Sequence, residues 1–102
     1  MTQRRGKQFT VDAESVQGNA GATVTFRALK VRTQKAIIAG DVKDPELLAA
    51  QIVGWTGIVG DNGESLLSPT DDPSVLDELY IHEQTALVRL LLRGPLEDTE
   101  KN

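Results

Sequence analysis

The sequence predicts a small α+β domain, mainly helical, that opens with a short β-hairpin. Three observations predict it: two alternating apolar-polar segments near the start, helix punctuation by Pro and Gly through the rest, and a Leu-rich closing stretch. With 102 residues, 39% of them hydrophobic, the chain suits one domain with one core.

The elements follow in order. Residues 1–8 form an expected flexible basic leader. QFTVDA then alternates Phe9 and Val11 against Thr10 and Asp12, as a half-buried strand does. Gln17 to Gly21 has the composition of a loop, and ATVTFRAL alternates Val24, Phe26 and Ala28 against Thr23, Thr25 and Arg27, so the two segments pair most economically as a hairpin. Thr33 is expected to cap a helix closing at Gly40. A second helix starts at Asp44-Pro45, with Asp44 as cap and Pro45 at the first helical position. Leu47, Leu48 and Ile52 fall along one side of it, next to the chain's lone tryptophan.

The segment QIVGWTGIVGDNGESLL holds that tryptophan, Trp55, between Gly54 and Gly57, and runs into Asp61-Asn62-Gly63. Trp55 to Val59 reads as extended and the Asp-Asn-Gly turn permits a small second hairpin, because its residues tolerate left-handed backbone. Gly54, Gly57 and Gly63 are expected to serve as structural anchors beside Trp55 by allowing close approach or positive φ. Trp55 itself has two readings. As a core anchor it packs on Ile52, Ile58 and Leu66, and truncation costs about 3–5 kcal/mol; as an interface residue it is partly exposed and its loss spares the fold.

Asp72, before Pro73, is expected to cap a helix beginning SVLDEL with Val75, Leu76 and Leu79 inward. IHEQTALVRLLLRG forms the longest and most apolar helix and ends at Gly94-Pro95. From Ala86 to Leu92 its apolar residues wrap more than one face, so one face can serve the core and another a partner. Leu87, Leu90 and Leu91 are the candidate partner-binding residues; the alternative is that both faces are buried within the domain. Residues 95–102 form an expected flexible acidic tail, leaving residues 9–94 as the single folded unit.

Composition excludes several function classes. The chain has no cysteine, hence no disulfide, thiolate nucleophile or Cys-based zinc site, and a reducing cytoplasm is the default. No apolar run approaches the roughly 18 residues of a membrane span, and no apolar region follows the basic start, so a soluble, unexported protein is expected. The net charge of −4 conceals a polarity. Met1 to Lys43 holds eight Lys/Arg against three acids, whereas the remainder holds three against twelve. Such asymmetry suits attraction between the two halves or between copies; a nucleic-acid arm built on Arg4, Arg5, Lys7, Arg27, Arg32 and Lys35 is the competing reading, and it predicts steep salt dependence. Phe9 and Phe26 are too few for a base-stacking platform, so no nucleic-acid partner is expected.

No catalytic or cofactor pattern is complete. His82-Glu83 lacks the second histidine of a zinc-protease helix. Gly54, Gly57, Gly60 and Gly63 recur every third residue but match neither a dinucleotide fingerprint nor a phosphate loop. Asp61, Asn62 and Glu64 do not spread over a calcium loop. Ser65, Ser68, Asp71, Asp72 and His82 have no nucleophile-elbow sequence to organise them as a triad. The expectation is a non-enzymatic protein without metal or cofactor.

The alternating strand ending in FRAL, a short helix, a Leu/Ala-rich helix after Asp-Pro, the GWTGIVGDNGESL segment, a Ser-Pro loop and a closing helical pair together resemble the tail assembly chaperones of long-tailed phages. The resemblance covers about Ala22 to Gly94, and its most specific piece is Gly54-Trp55-x-Gly57-Ile58 with Asp61-x-Gly63. It implies a small, mostly helical protein that binds the aggregation-prone tape-measure protein and keeps it soluble while tail-tube subunits polymerise. It also implies residence in the host cytoplasm, absence from the mature virion, and a longer frameshifted form through which the tail-tube protein could be engaged; the tail GPLEDTEKN is compatible with such an extension. Self-association through the leftover face of the last helix is a separate expectation. The basic leader has no counterpart in the family pattern. A structural neck or minor tail component is the rival expectation, with a nucleic-acid-binding regulator behind it.

Overall fold

The structure, a computed structural model, describes residues 8–94; the expected basic leader and acidic tail lie outside the described residues, apart from Gln8. It is an α+β fold built on a three-stranded antiparallel sheet in sequence order, β1 (Gln8–Asp12), β2 (Thr23–Arg27) and β3 (Ile52–Thr56). The predicted hairpin is β1–β2, in the register Phe9 opposite Phe26 and Val11 opposite Val24. Because strand side chains alternate, this register puts all four on one face. The Phe9 and Phe26 rings meet there at 5.6 Å, and on the other face the hydroxyls of Thr10 and Thr25 lie 2.7 Å apart.

The connection between these strands contains one helical turn, α1 (Glu14–Gln17), where composition suggested only a loop. Asp12 Oδ1 accepts from Glu14 N–H at 2.8 Å, Gly18 closes the turn with φ 80°, and Val16 is buried. The turn therefore contributes to the core as well as reversing the chain.

Two helices link β2 to β3. The first, α2 (Val31–Ala39), starts two residues before Thr33, with Lys30 at its N-cap, so the expected Thr33 cap is corrected: Thr33 sits within the first turn. Gly40 ends it in the left-handed region, as expected. In α3 (Asp44–Gln51), Lys43 is the N-cap and makes no side-chain cap bond; Asp44 and Glu46 occupy the first turn, where their negative charge complements the helix dipole. Ile52, expected on this helix, has left it. Its N–H still bonds the Leu48 carbonyl, but at ψ 124° it begins β3 and pairs with Phe26. Pairing switches face at a bulge between Thr25 and Phe26, which lets both Trp55, opposite Val24, and Ile52 reach the inner face.

The second hairpin is minimal: one bridge between Val59 and Ser65, with Gly60 N–H to the Glu64 carbonyl at 2.9 Å and Gly63 at φ 81°. The following loop returns along β3, where Thr70 Oγ1 donates to the Ile52 carbonyl at 2.9 Å and Ser68 Oγ to that of Val53 at 3.3 Å. Asp72 caps the next element as predicted, accepting from Ser74 N–H at 3.1 Å, and that element is a 3-10 helix, Pro73–Glu78. The chain then enters α4 (Ile81–Arg93), which packs against α1 and α3 beneath the sheet. Phe26, Leu48, Ile52, Ile58, Leu76 and Leu87 form the centre of the core.

Candidate partner-binding surface

Helix α4 is where the core and the remaining surface divide. At about 100° per residue, Leu87, Leu90 and Leu91 turn toward the sheet side, and all three are buried. Their assignment as partner-binding residues is thereby corrected: they fill the domain's own core, and a partner could reach them only by opening it. Ile81, Thr85, Val88 and Leu92 recur at i, i+4, i+7 and i+11, within an arc of about 60° on the opposite side. Ile81 is 85% exposed and Leu92 44%, with Thr85 and Val88 half-buried between them. The sequence signal for this stripe was the same heptad-like spacing; reading it required knowing which of two apolar faces the sheet would cover.

The stripe begins at an ordered corner. Tyr80 N–H donates to Glu83 Oε1 at 2.9 Å, which holds the buried Glu83 carboxylate over the helix start. The Tyr80 ring stacks on His82 at 5.9 Å and 4°, and its hydroxyl donates to Asp61 Oδ1 at 2.8 Å. The Asp61 carboxylate, by accepting this hydrogen bond and by its charge, raises the phenol above its ordinary pKa. Tyr80, Ile81, His82, Thr85 and Arg89 line a shallow open depression beside the stripe, which adds an aromatic ledge and a cation to its apolar surface.

The anchor residues take distinct places. Trp55 is half-buried against the core, and its indole N–H donates to the Leu66 carbonyl at 3.1 Å, so one bond ties β3 to the strand leaving the Gly60–Glu64 turn. Gly57 answers both reasons given for a glycine: its φ is +77°, and a Cβ there would stand 2.9 Å from Ala22 Cα. Gly63 needs only the backbone freedom, at φ +81° with open space around it. Gly54 needs neither; its φ lies outside the left-handed region, no atom crowds it, and it sits opposite Thr25 in β3. Its role as an anchor is corrected accordingly.

Ser68, Asp72 and His82 each make local contacts of their own. Ser68 bonds the Val53 carbonyl and the Thr70 N–H, Asp72 bonds Ser74, and His82 stacks on Tyr80. Among the described residues no three His, Asp or Glu side chains gather as a metal site, and no helix is long and apolar enough to cross a membrane. Comparison with protein-family models, with curated proteins and with solved structures returned no match.

Proposed function

We propose that this chain is a tail assembly chaperone of a long-tailed phage, and that its client, an amphipathic helical stretch of the tape-measure protein, lies along the outer stripe of α4. The observation that carries this reading is the stripe itself: Ile81 and Leu92 stay exposed on it, with half-buried Val88 between them, while the core is formed on the other side of the helix. A helix-in-groove partner is recognised through apolar residues at the same spacing, and Arg89 beside the stripe favours a client carrying an acidic residue at that rim. The resemblance of the Trp55 segment to the chaperone family supplies the identity of the client.

Magnitude decides the mode of action. Fully covering an exposed apolar side chain is worth roughly 1.5–3 kcal/mol. With Leu92 only 44% exposed and Val88 already half-buried, the stripe returns well under three times that, at or below the low end of the roughly 4–15 kcal/mol that association costs. One stripe on one client turn therefore binds weakly. Many copies on one long client bind well and leave as tube subunits displace them, which suits a chaperone resident in the host cytoplasm and absent from the mature virion. A longer frameshifted form would bring in the tail-tube protein.

Co-expression with the tape-measure protein tests this reading. Wild type is expected to be captured with the client and to keep it soluble, whereas Ile81→Glu and Leu92→Glu fold normally and lose both. Equal capture by wild type and both variants would remove the stripe from the argument, and recovery of the chain from purified virions would favour a structural neck or minor tail component.

A further inference from the structure

Helix α2 has nine residues and not one of them is buried. An isolated helix of that length is marginal in water, and most helices draw stability from an apolar face packed on something. Here the inward side consists of half-buried Thr33, Ala36 and Ile37, while Val31 is 68% exposed and Ile38 79% exposed on the outward side. Lys35 lies between those two on the helix surface, with Lys30 and Arg32 at the same end. From Arg27 to Lys43 there are five basic residues against one acid, Asp41, which lines the same face as Val31, Arg32 and Lys35.

The opposite arrangement occurs once more in the same chain. Between Asp44 and Val88 there is no Lys or Arg. Within that stretch, residues 67–78 present Leu67, 59% exposed, together with Asp71, Asp77 and Glu78, all exposed. The two segments thus each expose apolar surface, Val31 and Ile38 in one and Leu67 in the other, and carry charges of opposite sign. Among the described residues no ion pair joins any of Lys30, Arg32, Lys35, Asp71, Asp77 and Glu78 to another described residue.

From this complementarity we infer that the outward face of α2 docks on the acidic 67–78 segment of a second copy of this chain. The two surfaces differ, so the contact is heterologous and each added copy exposes a fresh α2 at one end and a fresh acidic segment at the other; such contacts close into rings or extend as filaments. Because the apolar centre is small, the charges supply most of the specificity, and the association is salt-sensitive. The inference does not rest on the client reading, which uses α4.

Sedimentation velocity of the full chain over a concentration series tests it. Wild type is expected to gain mass with concentration at about 50 mM salt and to lose roughly tenfold in association at about 500 mM. Arg32→Glu with Lys35→Glu, and separately Asp77→Lys with Glu78→Lys, are each expected to remain monomeric with the wild-type circular dichroism spectrum. An equal mixture of the two is expected to associate again, since each reversed surface then meets its complement on the other variant. If either reversed protein unfolds, Lys35→Gln and Asp77→Asn replace it, with weakened association expected from both. A monomeric wild type at every concentration, self-association by a reversed variant alone, or no recovery on mixing would each overturn the proposal.

Discussion

Replacing Gly57 with alanine tests the packing beneath the tryptophan segment. Gly57 has φ +77°, a conformation that costs an alanine about 1–2 kcal/mol. The new Cβ would also lie 2.9 Å from Ala22 Cα and 3.0 Å from Ala22 Cβ. Ala22 cannot easily retreat: it is buried, it leads directly into β2, and its carbonyl accepts from Ala13 N–H at 2.8 Å. Overpacking of this kind adds about 1–3 kcal/mol. Gly57→Ala should therefore lose about 2–5 kcal/mol, which lowers Tm by roughly 8 °C or more in a domain this size. Gly63→Ala carries the backbone term alone, about 1–2 kcal/mol, and Gly54→Ala should be neutral or slightly stabilising because neither condition holds there. Urea and thermal unfolding of the three variants measure the series. Equal losses at Gly57 and Gly63 would refute the close approach to Ala22, and a large loss at Gly54 would refute the assignment of that position to open space.

Further outcomes follow from named contacts. Leu87→Ala should lose about 2–5 kcal/mol in denaturant unfolding, whereas Leu92→Ser, on the outer stripe, should stay within about 0.5 kcal/mol; a reversal would place the core on the wrong face of α4. Trp55→Phe removes the indole bond to the Leu66 carbonyl and should cost about 1 kcal/mol in unfolding followed by circular dichroism; an unchanged midpoint would show that this bond adds nothing. Tyr80 is the only tyrosine, so ultraviolet titration reads its phenol alone. Its pKa should lie above the ordinary 10.0 and return toward it in Asp61→Asn. Since the folded value is the higher one, the associated stabilisation is complete below pH 10 and fades as pH rises through the elevated value.

Much of the architecture was legible because local physics imposes it. Alternation in QFTVDA and ATVTFRAL marks half-buried strands, and their inward Phe and Val pairs select one register. Gly40 and Asp72 end and begin helices through backbone chemistry that needs no distant partner. Helix starts were less legible at Thr33 and Asp44, since a polar residue can serve either as a cap or within the first turn. The exit of Ile52 from α3 was hidden because its apolar character suits the helix and the strand equally; the pairing with Phe26 settled it.

By itself the sequence determined the fold class, the hairpin, the glycine-bounded tryptophan segment and the separation of basic from acidic halves, since periodicity, turn chemistry and charge are local properties. Only the tertiary structure decided what each apolar face meets. It placed Leu87, Leu90 and Leu91 in the core, left Ile81 and Leu92 exposed, and showed that Gly57, but not Gly54, lies against Ala22. A helix with two apolar faces does not specify which one a sheet will cover. That choice belongs to the packing of elements remote in sequence, where α1 and α3 close on one side of α4 and leave Ile81 and Leu92 exposed on the other.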